Sequence, residues 1–288
     1  MSDVERAFAR SCDGTVTANV QVSSGLIRLD LELDQGVEFQ PGQFAMLNLA
    51  GPGAFVFSRP FSIFAADGRL VSFLYRRVGR GTEAMGHLAP GARMSFLGPL
   101  GRAFPEPSAD EPVILIAGGV GLPPLAAWLE RHSASPAGVQ AFFGARDGAD
   151  VPWELLGGKW GVSVDVLKDV PPGRTAWEGL VTDLVAAKED LAGGIGRTVL
   201  SCGPTPLLKA AARLAAKRGW DCWLSLEEHM GCGYGVCKGC VVPVHDSSTG
   251  SAAVRNATCC QDGPVFRADD LAWESPDPNL PAAGRSVS

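Results

Sequence analysis

Pro112-Val-Ile-Leu-Ile-Ala-Gly-Gly-Val-Gly-Leu-Pro-Pro-Leu125 decides how the middle of this chain folds. Residues 112–117 form a near-continuous apolar run, the pattern of a strand covered on both faces of a parallel sheet. Gly118-Gly119-Val120-Gly121 follows as a turn, and Leu122-Pro123-Pro124 places two prolines in a first helical turn, where a missing N–H costs nothing. Strand, glycine turn and helix in this order let the backbone approach a pyrophosphate at a helix N-terminus. Gly118, Gly119 and Gly121 are therefore candidate nucleotide-binding residues. G-G-x-G differs from the G-x-G-x-x-G fingerprint, so its weight comes from its context. Further apolar runs at 139–143, 162–167 and 197–201 alternate with helical stretches, which predicts a doubly wound α/β sheet over residues 107–225. The last run leads into Ser201-Cys202-Gly203-Pro204 and an Ala- and Leu-rich helix stopped by Gly219.

Upstream, short alternating runs at 15–22, 26–33, 43–49, 69–75 and 93–97 are broken by Gly and Pro at nearly every border. This predicts antiparallel strands closing into a barrel over residues 1–106. Two segments within it carry chemistry. Arg59-Pro60-Phe61-Ser62 begins a β run, and Gly81-Thr82 stands where a strand yields to a short helix, with Thr82 the expected N-cap and a phosphate the expected ligand.

Downstream, Glu228-His-Met-Gly-Cys-Gly-Tyr-Gly-Val-Cys-Lys-Gly-Cys240 holds Cys232, Cys237 and Cys240 at C-x4-C-x2-C, and Cys259-Cys260 lies some twenty residues on. That is the plant-type [2Fe–2S] spacing. Gly231, Gly233, Gly235 and Gly239 allow a tight loop whose amides approach sulfur. Zinc is the rival, though its ligands usually come as two short knuckles rather than three thiols together and one far off. The segment over residues 226–274 thus reads as a small cluster-binding lobe. Residues 275–288, rich in Pro, Ser and Ala, read as a disordered tail.

The 288 residues carry a formal charge of −6, with 46% hydrophobic and 19% charged residues. This balance argues against nucleic acid or an anionic membrane surface as a partner. No basic segment followed by an apolar run opens the chain, and no apolar stretch approaches a membrane span, so a soluble cytoplasmic protein is expected. Eight cysteines, five of them between 232 and 260, then indicate metal ligation rather than disulfides.

Flavin half, nucleotide half and C-terminal cluster lobe, in that order, resemble the ferredoxin–NADP reductase superfamily, and within it the electron-transfer subunits of NAD-linked, two-subunit dihydroorotate dehydrogenases. The resemblance spans about residues 10–270 and is carried by R-P-F-S-I at 59–63, A-G-G-V-G-L-P-P-L at 117–125, S-C-G-P at 201–204, the glycine-rich cysteine loop, and C-Q-D-G-P-V-F at 260–266. It implies that Arg59, Pro60, Phe61 and Ser62 line an FAD, that Leu74, Tyr75 and Arg76 follow its ribityl and diphosphate, and that Gly81 and Thr82 cradle phosphate. Phe61 stands where the motif usually has tyrosine. Cys202 would face the nicotinamide of NAD(H). Of the adjacent pair, the resemblance selects Cys260 as fourth ligand beside Cys232, Cys237 and Cys240, and leaves Cys259 a bystander and His229 and His245 outside the cluster.

The resemblance further implies a flavin iron–sulfur oxidoreductase subunit with no organic substrate site of its own. It would pass electrons between NAD and a partner dehydrogenase, an FMN-containing dihydroorotate dehydrogenase of pyrimidine biosynthesis, in a hetero-oligomer. Sulfide dehydrogenases and ferredoxin–NADP transhydrogenases use the same three parts. A zinc-stabilised nucleotide-binding regulator is the reading from another class. Met230, Tyr234 and Val236 beside the ligands are the candidate docking residues. Arg146 is the one candidate partner for a 2′-phosphate.

Overall fold

The computed structural model describes residues 9–51, 55–106, 108, 111–133, 138–190, 197–246 and 253–273. The expected tail lies outside them. Six strands, β1 (Arg10–Gln21), β2 (Ile27–Leu33), β3 (Phe44–Leu49), β4 (Arg59–Asp67), β5 (Leu70–Tyr75) and β6 (Arg93–Leu100), form a closed antiparallel barrel in the order β1-β2-β5-β4-β3-β6. Helix α1 (Arg80–Met85) lies between β5 and β6. The alternation read from the sequence is the reason it closes. Ile27, Leu29, Leu31 and Leu33 of β2 all turn inward, with Arg28, Asp30 and Glu32 between them outside, and meet Phe73, Tyr75 and Phe96.

The second half begins with β7 (Val113–Gly118), a 3₁₀ turn over Gly119–Gly121, and α2 (Leu122–Arg131). It continues through β8 (Val139–Ala145), α3 (Trp153–Leu156), β9 (Trp160–Val164), β10 (Trp177–Glu178), α4 (Val181–Asp190), β11 (Thr198–Cys202), α5 (Thr205–Arg218) and β12 (Asp221–Ser225). The third apolar run pairs two residues earlier than expected. Asp165, Val166 and Leu167 lie past the strand end and are exposed.

The cysteine region adds β13 (Val241–His245), β14 (Val254–Thr258), the single turn α6 (Cys259–Asp262) and β15 (Val265–Arg267). While β13 and β14 form a hairpin, β15 joins the large sheet antiparallel to β12. The sheet order is β10-β9-β8-β7-β11-β12-β15. The chain moves outward from β7 in one direction through β8 and β9, then returns to β7's other side with β11, so the Gly118–Gly121 turn stands at the switch point where such sheets bind ligands.

Two shared cores join the three parts. Phe44, Met46 and Leu100 of the barrel pack in one cluster with Ile114 and Leu224 of the sheet and with Cys240, Val242, Cys260 and Phe266. Leu74 and Phe104 pack in another with Leu115, Leu122 and Trp128. The borders expected at 106/107 and 225/226 therefore cross continuous packing. No helix among the described residues is long and apolar enough to cross a membrane.

Candidate active site

On the barrel, Arg59 opens β4 and lies against Gly81, where a Cβ would collide with its guanidinium. Its Nη1 donates to the Phe57 carbonyl at 3.0 Å and its Cζ lies 4.2 Å from the Phe55 ring centroid. Removal from water draws its pKa below the ordinary arginine value, and among the described residues no carboxylate forms an ion pair with it. A partly buried cation with no anion of its own fits a diphosphate ligand.

Thr82 differs from expectation. The N-cap is Gly79, and Thr82 occupies the third helical position, its hydroxyl accepting from the amides of Val78 at 2.9 Å and Gly79 at 3.2 Å. The hydroxyl ties down the approach to the helix instead of capping it.

Pro60 and Ser62 pair with Met46 and Phe44 of β3. Phe61 stands edge-on to Tyr75 with ring centroids 6.1 Å apart. The Tyr75 hydroxyl donates to Asn19 Oδ1 at 3.0 Å and the ring packs in the barrel core, so this side chain is interior and only its backbone reaches the outer wall.

At the carboxyl edge of the sheet, the glycine turn and Cys202 touch. Gly121 has no room for a Cβ, which would press on the backbone of Cys202 and lie 2.5 Å from the Gly203 nitrogen. The Cys202 thiol is buried beside Ser225, its register partner on β12. Burial first, then the charge of Glu227, push the thiol well above its ordinary pKa, so it offers contact rather than proton transfer.

Glu227 lies two residues beyond β12, and its carboxyl is pushed up by burial and pulled down by Arg76. The sequence reading missed it because it drew a domain border at that point; the signal available was an acid just past a parallel strand's carboxyl end. Arg146, the candidate for a 2′-phosphate, instead donates to Asp150 Oδ2 at 3.0 Å.

The cysteine loop folds its thiols into two pairs. Cys240 and Cys260 have Sγ atoms 3.2 Å apart, and the Cys237 amide donates to Cys232 Sγ at 3.5 Å. Slight burial pushes the Cys232 thiol up, but the amides of Cys237 and Tyr234, the Cys237 thiol and the Val236 amide outweigh it and draw its pKa down to about 6. The Gly235 amide acts in the same direction on Cys260, whose thiol burial pushes up to about 12. Amides turned toward sulfur are what a thiolate-bound group needs.

Cys259 points elsewhere, toward the Leu226 carbonyl at 3.7 Å. No three such groups among the described residues converge on the position of a single metal ion. Two pairs fit a two-iron cluster, which takes two thiolates at each iron. The loop also abuts the barrel: Gly233, at φ +84°, is packed so closely on Met46 that a side chain there would displace it.

A family model described as the iron–sulfur cluster binding domain of dihydroorotate dehydrogenase B matches residues 227–272. The dihydroorotate dehydrogenase B (NAD(+)) electron transfer subunit of Bacillus velezensis is 35% identical over 271 residues, covering 90% of this chain and 97% of that protein. The chain belongs to this family. The electron transfer subunit of Geobacillus kaustophilus is 34% identical, over 81% of this chain and 86% of its own. Among solved structures, an NADH-dependent reduced ferredoxin–NADP oxidoreductase superposes with a TM-score of 0.73 over 90% of each chain at 23% identity, a likeness of fold. For a dihydroorotate dehydrogenase B electron transfer subunit, barrel, nucleotide sheet and cysteine loop are thus all present, and the loop lies against both other parts.

Proposed function

We propose that this chain is the electron-transfer subunit of an NAD-linked dihydroorotate dehydrogenase. Arg59, Pro60, Phe61, Ser62, Gly81 and Thr82, with the strand at Leu74, Tyr75 and Arg76, hold FAD. Gly118, Gly119 and Gly121 receive NAD(H), and Cys202 closes the nicotinamide side. Cys232, Cys237, Cys240 and Cys260 hold a [2Fe–2S] cluster. When bound, the nicotinamide exchanges a hydride, the flavin converts between electron pairs and single electrons, and the cluster carries single electrons.

The chain's own residues place these groups and keep water from them. Dihydroorotate is oxidised on an FMN-containing partner subunit, so the working form is a hetero-oligomer, and we place it in the cytoplasm with its NAD pool. One observation carries the reading: the cysteine loop is packed through Gly233 onto Met46 of the flavin barrel, with Cys240 and Cys260 in the same core.

The partner reaches the cluster from outside. Tyr234 is 53% exposed and Val236 73%, with Phe57 of the barrel beside Gly231 at 64%, and together they rim the exposed Cys237. Met230 is instead packed against the core beneath them. An apolar rim of this kind suits the centre of an interface.

Anaerobic purification and a visible spectrum test the cofactors: flavin bands with a broad long-wavelength absorption are expected, together with a paramagnetic signal after reduction by NADH. A colourless zinc protein refutes the reading in favour of a nucleotide-binding regulator. Dihydroorotate-dependent NAD reduction on mixing with the catalytic subunit tests the partner; its failure beside intact NADH oxidation shifts the assignment to a sulfide dehydrogenase or ferredoxin–NADP transhydrogenase.

A further inference from the structure

We propose that Arg76, carried on the barrel, receives the pyrophosphate of the nicotinamide dinucleotide, so that the nucleotide site is built across the two halves rather than from the glycine turn alone. This rests on the NAD(H) reading above and reassigns a residue that the motif order gave to the flavin.

Strand alternation sends Arg76 to the nucleotide side. Tyr75 turns into the barrel core, while Leu74 turns the other way and packs with Leu115, Leu122 and Trp128 of the nucleotide half. Arg76 stands two residues beyond Leu74 and leaves the strand on the same face. Its guanidinium reaches the turn. A Cβ built on Gly119 would meet just one atom within 4 Å, Arg76 Nη2 at 3.9 Å. Beside the guanidinium, Gly119 therefore faces open space at the sheet's switch point.

The guanidinium is also incompletely partnered. Its Nε is buried and has no hydrogen-bond partner. A buried cationic N–H without an acceptor is costly, and a phosphate oxygen is the acceptor its fork geometry fits. The surroundings hold it in place. A Cβ at Gly25 would lie 2.7 Å from Nη2 and 3.1 Å from Asp150 Oδ1, so the β1–β2 loop closes off one side. The Asp150 carboxylate already accepts from Ser24 and Arg146, which leaves it a weak competitor for the Arg76 N–H groups. Glu227 borders the guanidinium from the far end of the sheet. Meanwhile the flavin has its own cation, since Arg59 lies on Gly81 at the other anion cradle. One arginine stands at each glycine turn.

The test uses the full chain with its cofactors. Arg76→Ala is expected to keep wild-type FAD content while its Kd for ADP-ribose rises roughly 10- to 100-fold, the loss expected of a charge-assisted pair. The KM for NADH should rise more than kcat falls, and Arg76→Lys should recover part of the ADP-ribose affinity. Arg59→Ala should show the reverse, losing FAD. Unchanged ADP-ribose affinity in Arg76→Ala overturns the proposal. So does loss of FAD with ADP-ribose binding intact, which returns the residue to the flavin. Loss of both ligands in Arg76→Ala and Arg76→Lys alike makes Arg76 a structural junction and also overturns it. If the wild-type holoprotein does not bind ADP-ribose, the NAD(H) reading itself fails and takes this assignment with it.

Discussion

Gly121→Ala should break the nucleotide site by separating two strands. Gly121 has φ −77° and ψ −3°, which alanine adopts without strain, so the whole effect is steric. The added Cβ would press into the Cys202 carbonyl and lie 2.5 Å from the Gly203 nitrogen, where real Cβ atoms are not found under 3.0 Å. Every atom it meets is backbone. That backbone ends β11, which is held in register from Thr198 to Cys202 by β7 on one side and β12 on the other. No side-chain rotation can relieve the clash, so the cost falls at the upper end of overpacking, about 3 kcal/mol. This corresponds to a Tm lower by roughly 6–12 °C for a chain of this size class.

Gly119→Ala is the control. Its Cβ has space, but its φ of +55° costs about 1–2 kcal/mol for any residue with a side chain. Scanning calorimetry of the holoprotein measures both variants, and ADP-ribose titration reports the site. Gly121→Ala with wild-type Tm and ADP-ribose affinity, or Gly119→Ala the less stable of the two, would refute the reasoning.

Three further outcomes are expected. Cys259→Ser should retain its iron, because its thiol faces Leu226 O, while Cys260→Ser should lose the cluster; iron assay and the visible spectrum decide, and the opposite result means the fourth ligand is one residue earlier. Tyr234→Asp should leave NADH oxidation by an artificial acceptor intact and cut transfer to the catalytic subunit at least tenfold, whereas equal loss of both would make the loop structural. For Asp150, burial raises the carboxyl, but the bonds from Ser24 and Arg146 and the charges of Arg146 and Arg76 carry it below its ordinary pKa. A depressed folded pKa gives stability that is full above the unfolded value of about 4 and lost as pH falls through the folded one. Asp150→Asn should therefore destabilise the protein at pH 7 by about 1–3 kcal/mol, and urea melts should show the gap closing as pH falls below about 4; a gap independent of pH contradicts this.

Much of the site could be read along the chain because its chemistry is local. The C-x4-C-x2-C loop, the strand–glycine–helix sequence and the alternating runs each depend on neighbours a few residues apart, and backbone geometry permits few alternatives. The boundaries read less well, since nothing between Ser225 and Glu228 shows that β15 returns to pair with β12. The Thr82 cap was misplaced for a related reason: an extended Gly79 before the helix moves the cap three residues upstream.

The sequence by itself determined the order of the three parts, the ligand types and the glycines each needs, since these follow from residue chemistry and short spacing. Only the tertiary structure decided which of two adjacent cysteines turns toward Cys240, which face of β5 carries Arg76 to Gly119, and that one core joins the cysteine loop to the barrel. Those choices depend on packing between residues far apart in the chain, where a single-residue change of register reverses every side chain and no local pattern records the outcome.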